Sequence, residues 1–368
     1  MRKRIIRLSV ISLLFFAFSS CNNPPAATAD GSGKTDPAQL KGSTLNILCW
    51  EGYADPVFTK AFEEKYGVTV KGTYFGSSDE LVSKLQNGGG EAYDIISPSS
   101  DVAGYIVSNG LVAPLDVKAI SQWDSISPPL RNMADVINEG KVYGLPFTWG
   151  PDYLIYDADV VKKEPDSWKV FQNPIYKGQV SLWDDISNIY LIGQMDGMDK
   201  TNPAALYNMT DDELNQVKAQ LIAMKPQIRK YWSTAGELNN MFKNREVALA
   251  IGWPLTVASL NKEGRHLRAV IPREGATGWI DRLMITKESK NKALAMLFLD
   301  YVSQPETMAK VLAVTNYNVS NPGSERFLTP DLKKIADASQ YFDRLNFWQM
   351  VKRRKKYNEI WNEVKSAQ

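Results

Sequence analysis

Four predicted strands in this chain carry a tryptophan at their end: Ile47-Leu48-Cys49-Trp50, Val180-Ser181-Leu182-Trp183, Leu249-Ala250-Ile251-Gly252-Trp253 and Gly278-Trp279-Ile280-Asp281. Three of these tryptophans have a carboxylate within two residues: Glu51, the pair Asp184-Asp185, and Asp281. The face of an indole attracts a cation, a carboxylate neutralises one, and strand ends in α/β proteins are where ligands gather. Taken singly, each tryptophan would plug a core edge and each acid would cap the next helix. Four together point to a cleft for an organic cation.

The rest of the inventory offers binding groups and little to make or break bonds. His266 is the one histidine, set in the polar turn Asn261–Arg268 with no second ligand beside it, so it reads as a surface residue. No cluster of His and Cys has the spacing of a metal site, and no cofactor is expected. There is no G-x-S-x-G elbow. A carboxylate pair acting on a glycan stays open as an alternative of another class, with Asp184, Asp185 or Asp281 as acid and base.

The elements that must position these groups begin after a leader. Met1-Arg2-Lys3-Arg4 with Arg7 is a basic start, and Leu8 to Phe18 is apolar but too short to span a bilayer, which reads as a signal peptide over 1–20. Phe18-Ser19-Ser20-Cys21 resembles the bacterial lipobox, so Cys21 is expected to carry lipid and anchor the protein to a membrane in the cell envelope. Residues 21–43 are rich in Pro, Ala, Gly and Ser and read as a flexible tether. Gly31-Ser32-Gly33-Lys34-Thr35 within it lacks the leading glycine and preceding strand of a phosphate-binding loop. Without Arg2, Lys3, Arg4 and Arg7 the chain holds 39 basic residues against 41 acidic ones, which is no nucleic-acid surface. With Cys21 acylated, Cys49 has no partner for a disulfide.

From Thr44 the pattern alternates strand and helix. Asp55-Pro56 opens a helix that Gly67 ends, Ser77-x-x-Glu80 caps another, and Thr234-x-x-Glu237 caps a third. Such βαβα order implies a mainly parallel sheet covered by helices, and a body this long with 44% apolar residues fills two cores. Leu145–Pro151 and Pro272–Trp279 read as crossings between two lobes. A final helix is expected over about 344–364, with Phe347, Met350, Val351, Ile360, Trp361 and Val364 inward and the basic run Lys352–Lys356 on a solvated face.

With Trp50-Glu51-Gly52-Tyr53, Tyr93-Asp94-Ile95-Ile96-Ser97-Pro98-Ser99 and Gly278-Trp279-Ile280-Asp281 in view, the chain from about Leu45 to Gln349 resembles the periplasmic spermidine/putrescine-binding proteins of bacterial ABC importers. The resemblance implies an α/β, two-lobed fold of the type II periplasmic-binding-protein kind with the ligand trapped between the lobes. Lobe 1 would be 44–149 plus about 280–325, and lobe 2 would be 150–279 plus about 326–368. In that family, residues matching Tyr53 and Trp279 sandwich the polyamine stem, and those matching Trp50, Trp253 and Tyr317 complete an aromatic box. The position of Ser99 offers a hydroxyl, Asp185 and Asp281 match acids that grip amines, and Gln349 matches a glutamine near the far amine.

Three departures bear on specificity. The family's acid at the place of Gly52 stands one residue earlier here, at Glu51. A family tyrosine falls on Asp101, which reads as an amine ligand or a first-turn acid. Asn188 stands where spermidine binders carry Glu. A polyamine needs apolar faces along its methylenes and carboxylates at intervals. Charged hydrogen bonds of roughly 1.5–3 kcal/mol and cation–π contacts of about 0.5–2 kcal/mol reach the ~8 kcal/mol of a micromolar binder. The expectation is a monomeric, acylated solute-binding protein of the periplasm or envelope. It would have no enzymatic activity and would close on a polyamine to deliver it to an ABC permease with a separate ATPase. A zwitterionic or monocationic solute such as an amino acid is the alternative, and it would call for a basic residue at the cleft.

Overall fold

The computed structural model describes residues 40–337 and 341–367. The expected signal peptide, Cys21 and all but the last four residues of the expected tether lie outside them. The chain packs from Leu40 onward: that side chain is buried in the core, and Gly42 N donates to Gly67 O at 2.8 Å.

Strand β1 (Thr44–Cys49) leads into helix α1 (Pro56–Tyr66), whose start follows from its sequence. Asp55 accepts from Val57 N at 2.8 Å, Pro56 supplies the first helical residue without a donor to satisfy, and Gly67 closes the last turn. Strand β2 (Thr69–Tyr74), helix α2 (Ser78–Lys84), strand β3 (Ile95–Ile96) and helix α3 (Ser100–Ser108) follow. Ser77 caps α2 by accepting from Glu80 N at 3.2 Å, while the Glu80 carboxylate turns to Gly76 N at 2.8 Å. β1 lies parallel between β2 and β3, as the βαβα pattern requires.

After a small ribbon of β4 (Ile137–Asn138) and β5 (Lys141–Val142), β6 (Leu145–Pro151) returns to this first sheet. The chain then builds a second sheet from β7 (Tyr153–Asp157), β8 (Val180–Trp183), β9 (Ile228–Trp232), β10 (Leu249–Gly252) and β11 (Leu267–Val270), in the order β11-β7-β10-β8-β9. It comes back through β12 (Ala276–Ile285), β13 (Asn318–Val319) and β14 (Leu345–Phe347). The first sheet then runs β13-β6-β12-β3-β1-β2, with β14 paired to β12. Two sheets with helices make a two-lobed α/β fold. The expected changes of lobe at 149/150 and 279/280 fall inside β6 and β12, which pair with each other from Gly278–Pro151 to Leu283–Leu145. Both strands are buried along their whole length, Asp281 and Arg282 of β12 included.

The expected last helix is corrected at its start. Leu345–Phe347 is a strand paired parallel to Ala276–Gly278, and the helix, α6, covers Arg354–Ser366. Two further helices, α4 (Ser187–Met195) and α5 (Asp211–Met224), belong to the second sheet's side. α6 is fastened there too: Lys218 of α5 pairs with Glu363 at 2.6 Å, Tyr357 Oη donates to Leu206 O at 2.9 Å, and Trp361 Nε1 donates to Asp184 at 2.9 Å. The basic run is not wholly solvated either. Arg353 Nη1 donates to Met209 O at 2.7 Å, and the Arg354 side chain is only 17% exposed.

Candidate ligand-binding site

The strand ends of the two sheets meet at one small cavity. The first sheet supplies Trp50 after β1, Tyr53, Ser99 at the start of α3, Trp279 and Asp281 on β12, and Tyr317 before β13. The second supplies Trp183 at the end of β8, and Trp253 and Leu255 after β10, while Trp348 joins from the end of β14. Rings from the two sides touch: Trp50 lies 5.9 Å from both Trp183 and Trp253, and Trp183 lies 5.0 Å from Trp253 and 6.0 Å from Trp348. Trp279 packs edge-on to Tyr317 at 4.7 Å. The cavity measures about 20 Å³, room for little more than one water, so the walls already stand close together.

Asp281 is the buried acid of this cavity. The register of β12 against β6 shifts between Ile280 and Arg282: the extra residue lies on β6, so Phe147 and Thr148 together stand opposite Asp281. Tyr53 Oη donates to one Asp281 oxygen at 2.5 Å, Ser99 Oγ donates to the other, and Tyr53 also pairs with Thr148. Burial pushes the Asp281 carboxyl up to about 7, with the Ser99 and Tyr53 hydroxyls working against that rise. Asp152, behind Trp253, is likewise pushed up to about 7 by burial; it accepts from Thr277 Oγ1 at 2.6 Å and from Trp253 Nε1 at 3.3 Å. Trp183 Nε1 donates across to Gly76 O of the first sheet's side at 3.0 Å. The indole N–H groups of Trp50 and Trp279 find no acceptor among the described residues, although both side chains are more than nine-tenths buried.

Of the residues singled out in the sequence, Trp50, Tyr53, Ser99, Trp253, Trp279, Asp281 and Tyr317 line this one cavity, and Glu51 joins them. The shift of the acid from position 52 to 51 has a backbone reason. Gly52 sits at φ 92°, and a side chain there would meet Thr315 Cγ2 at 3.1 Å. Four other residues do not line the cavity. Asp185 caps the start of α4 by accepting from Ser187 N at 2.8 Å, and burial pushes it up to about 7 against the nearby Arg354 charge. The Asn188 amide donates to Trp183 O at 2.6 Å and Asp185 O at 2.8 Å, tying the turn after β8. Asp101 accepts from Ser78 Oγ at 3.0 Å and Arg354 Nη1 at 2.8 Å. Gln349 is exposed, and its neighbour Trp348 takes the place at the wall.

Sequence reasoning left Trp348, Leu255 and Trp183 out of the lining set. Trp183 carried the same strand-end signal as Trp50 and Trp253; Trp348 was hidden by being assigned to a helix. Asp184 receives Trp361 Nε1 and the Lys365 ammonium at 2.8 Å, so it serves α6 rather than the cavity.

The strand ends of the two sheets thus meet at one aromatic cavity with a buried acid in its wall. A family model described as bacterial extracellular solute-binding protein matches residues 58–340, and the chain belongs to that family. The spermidine/putrescine-binding periplasmic protein of Escherichia coli (strain K12) is 23% identical over 292 residues, covering 79% of this chain and 81% of that protein. The putrescine/agmatine-binding protein of Pseudomonas aeruginosa is 25% identical over 313 residues, 80% of this chain and 83% of that one. Among solved structures, a putative spermidine/putrescine ABC transporter protein from Listeria monocytogenes shares the fold at a TM-score of 0.77, with 23% identity and coverage of 88% of this chain and 99% of that one. These are binding proteins of transport systems, so the glycan-cleaving alternative is set aside.

Proposed function

We propose that this protein captures an aliphatic ammonium solute of the polyamine class by closing its lobes on it, and presents the closed form to an ABC permease driven by a separate ATPase. The observation that carries the reading is the Asp281 carboxylate, positioned by Tyr53 and Ser99 inside a ring of indoles drawn from both sheets. An ammonium group placed there gains a charged hydrogen bond and several aromatic faces at once. The ligand touches both walls only when they meet, so it favours the closed form by mass action. The names of the relatives point to the same ligand class. In this reading one lobe follows the first sheet and the other follows the second sheet with α6. Cys21 carries lipid, and the protein acts as a monomer at the cell envelope.

Thermal unfolding with putrescine, spermidine, agmatine and small amino acids tests this. A rise in melting temperature with an amine, abolished in Asp281→Ala, is the expected result. A protein that ignores every amine and is stabilised by a neutral sugar would refute it.

A further inference from the structure

The acids around the cleft fall into two sets, and only one is open to a ligand. Asp281 and the partly exposed Glu51 line the cavity. Asp79, Asp101 and Asp185 gather beyond its wall, and the chain's own guanidinium sits among them. Arg354 of α6 clasps Asp79 with two parallel bonds, Nε to Oδ1 at 2.6 Å and Nη2 to Oδ2 at 3.1 Å, and gives Nη1 to Asp101 at 2.8 Å. Its charge acts on Asp185 more strongly than any other. A guanidinium stays protonated under all ordinary conditions and matches carboxylates bidentately, so this is a fixed positive charge. Asp79 and Asp101 belong to α2 and α3 of the first sheet's side, whereas α6 is bound to the second, so the contact spans the cleft.

The donors at the cavity tell a matching story. The N–H groups of Trp50 and Trp279 have no acceptor among the described residues. An ammonium group offers only donors, so a second ammonium cannot satisfy them, while a hydroxyl or carboxylate can.

We propose that the cleft selects a short monoamine whose other end is a hydrogen-bond acceptor, with Arg354 withholding from the ligand the carboxylates beyond Asp281 and Glu51 that the further ammonium groups of a longer polyamine would need. The inference rests on the amine-binding reading and departs from it at one point, replacing the second amine of a polyamine with an acceptor.

Calorimetric titration of the full protein with 4-aminobutan-1-ol, 4-aminobutanoate, putrescine and spermidine decides the matter. At least one of the two monoamines is expected to bind tenfold or more tightly than spermidine. In Arg354→Met the uncovered acids should shift the ratio toward spermidine by tenfold or more. Should that variant fail to fold, Arg354→Gln removes the charge while keeping hydrogen-bond donors and reads out the same ratio. Spermidine binding tightest to the wild type, and more weakly to the Arg354 variants, would overturn the inference while leaving the polyamine reading intact. Absence of binding by every amine to every form would overturn both.

Discussion

Asp281 and Asp185 begin from the same sequence signal, an acid close after a strand-end tryptophan, and end in opposite employments. Both are buried, and burial pushes both up to about 7. Asp281 is braced by two hydroxyls and keeps an edge toward the aromatic cavity. Asp185 has its oxygen on the Ser187 amide at the start of α4 and the Arg354 charge nearby, away from the cavity wall. The difference shows that a carboxylate's proximity to an aromatic strand end sets where it can stand; what it serves depends on which partner reaches it first. At one acid that partner is left to the solute, and at the other it is the Ser187 amide two residues on, with the charge of Arg354 nearby.

The comparison can be broken most sharply by neutralising each acid in turn. Asp281→Asn should weaken amine binding roughly 10- to 100-fold, the value of one charged hydrogen bond. Asp185→Asn should change the affinity by less than about threefold, because it lies outside the cavity. Dissociation constants from titration calorimetry check both, and comparable losses from the two variants would abolish the distinction.

A smaller effect should follow from holding the two walls apart. Gly76, which accepts the Trp183 indole N–H, lies so close to the second sheet's side that an added Cβ would fall 2.5 Å from Ser233 O, a backbone atom with no freedom to yield. Gly76→Ala should therefore cost about tenfold in affinity through the closed form alone. The unliganded melting temperature should shift little, since each lobe keeps its own core. Equal losses of affinity and stability would mean that the contact belongs to folding rather than to closure.

Much of this arrangement was legible in the sequence because it depends on short-range rules. Caps at Asp55, Ser77 and Thr234 appear where the sequence puts them, and Trp183 and Trp253 converge because β8 and β10 run parallel and present their ends on one side. The region 344–356 was less readable. Its apolar residues fit a helical face, yet Leu345–Phe347 pairs with β12 as a strand, a long-range preference that local periodicity cannot register. That shift carries Trp348 into the cavity wall and leaves Gln349 exposed. It also conceals Arg354, one of five consecutive basic residues and indistinguishable in sequence from its neighbours. Only the packing of α6 against both sides of the cleft picks it out.

The most direct test of the central claim, that Asp281 is the counter-charge for a bound ammonium, is the number of protons released on binding. It is measured by calorimetry near pH 6.5 in two buffers of different ionisation enthalpy. With its carboxyl held at about 7, Asp281 is partly protonated there, and an incoming cation favours the ionised form. Binding should expel a substantial fraction of a proton, affinity should strengthen as pH rises from 5.5 toward 8, and Asp281→Asn should abolish both effects. Binding that releases no proton, with an affinity indifferent to pH and to Asp281→Asn, would contradict the account.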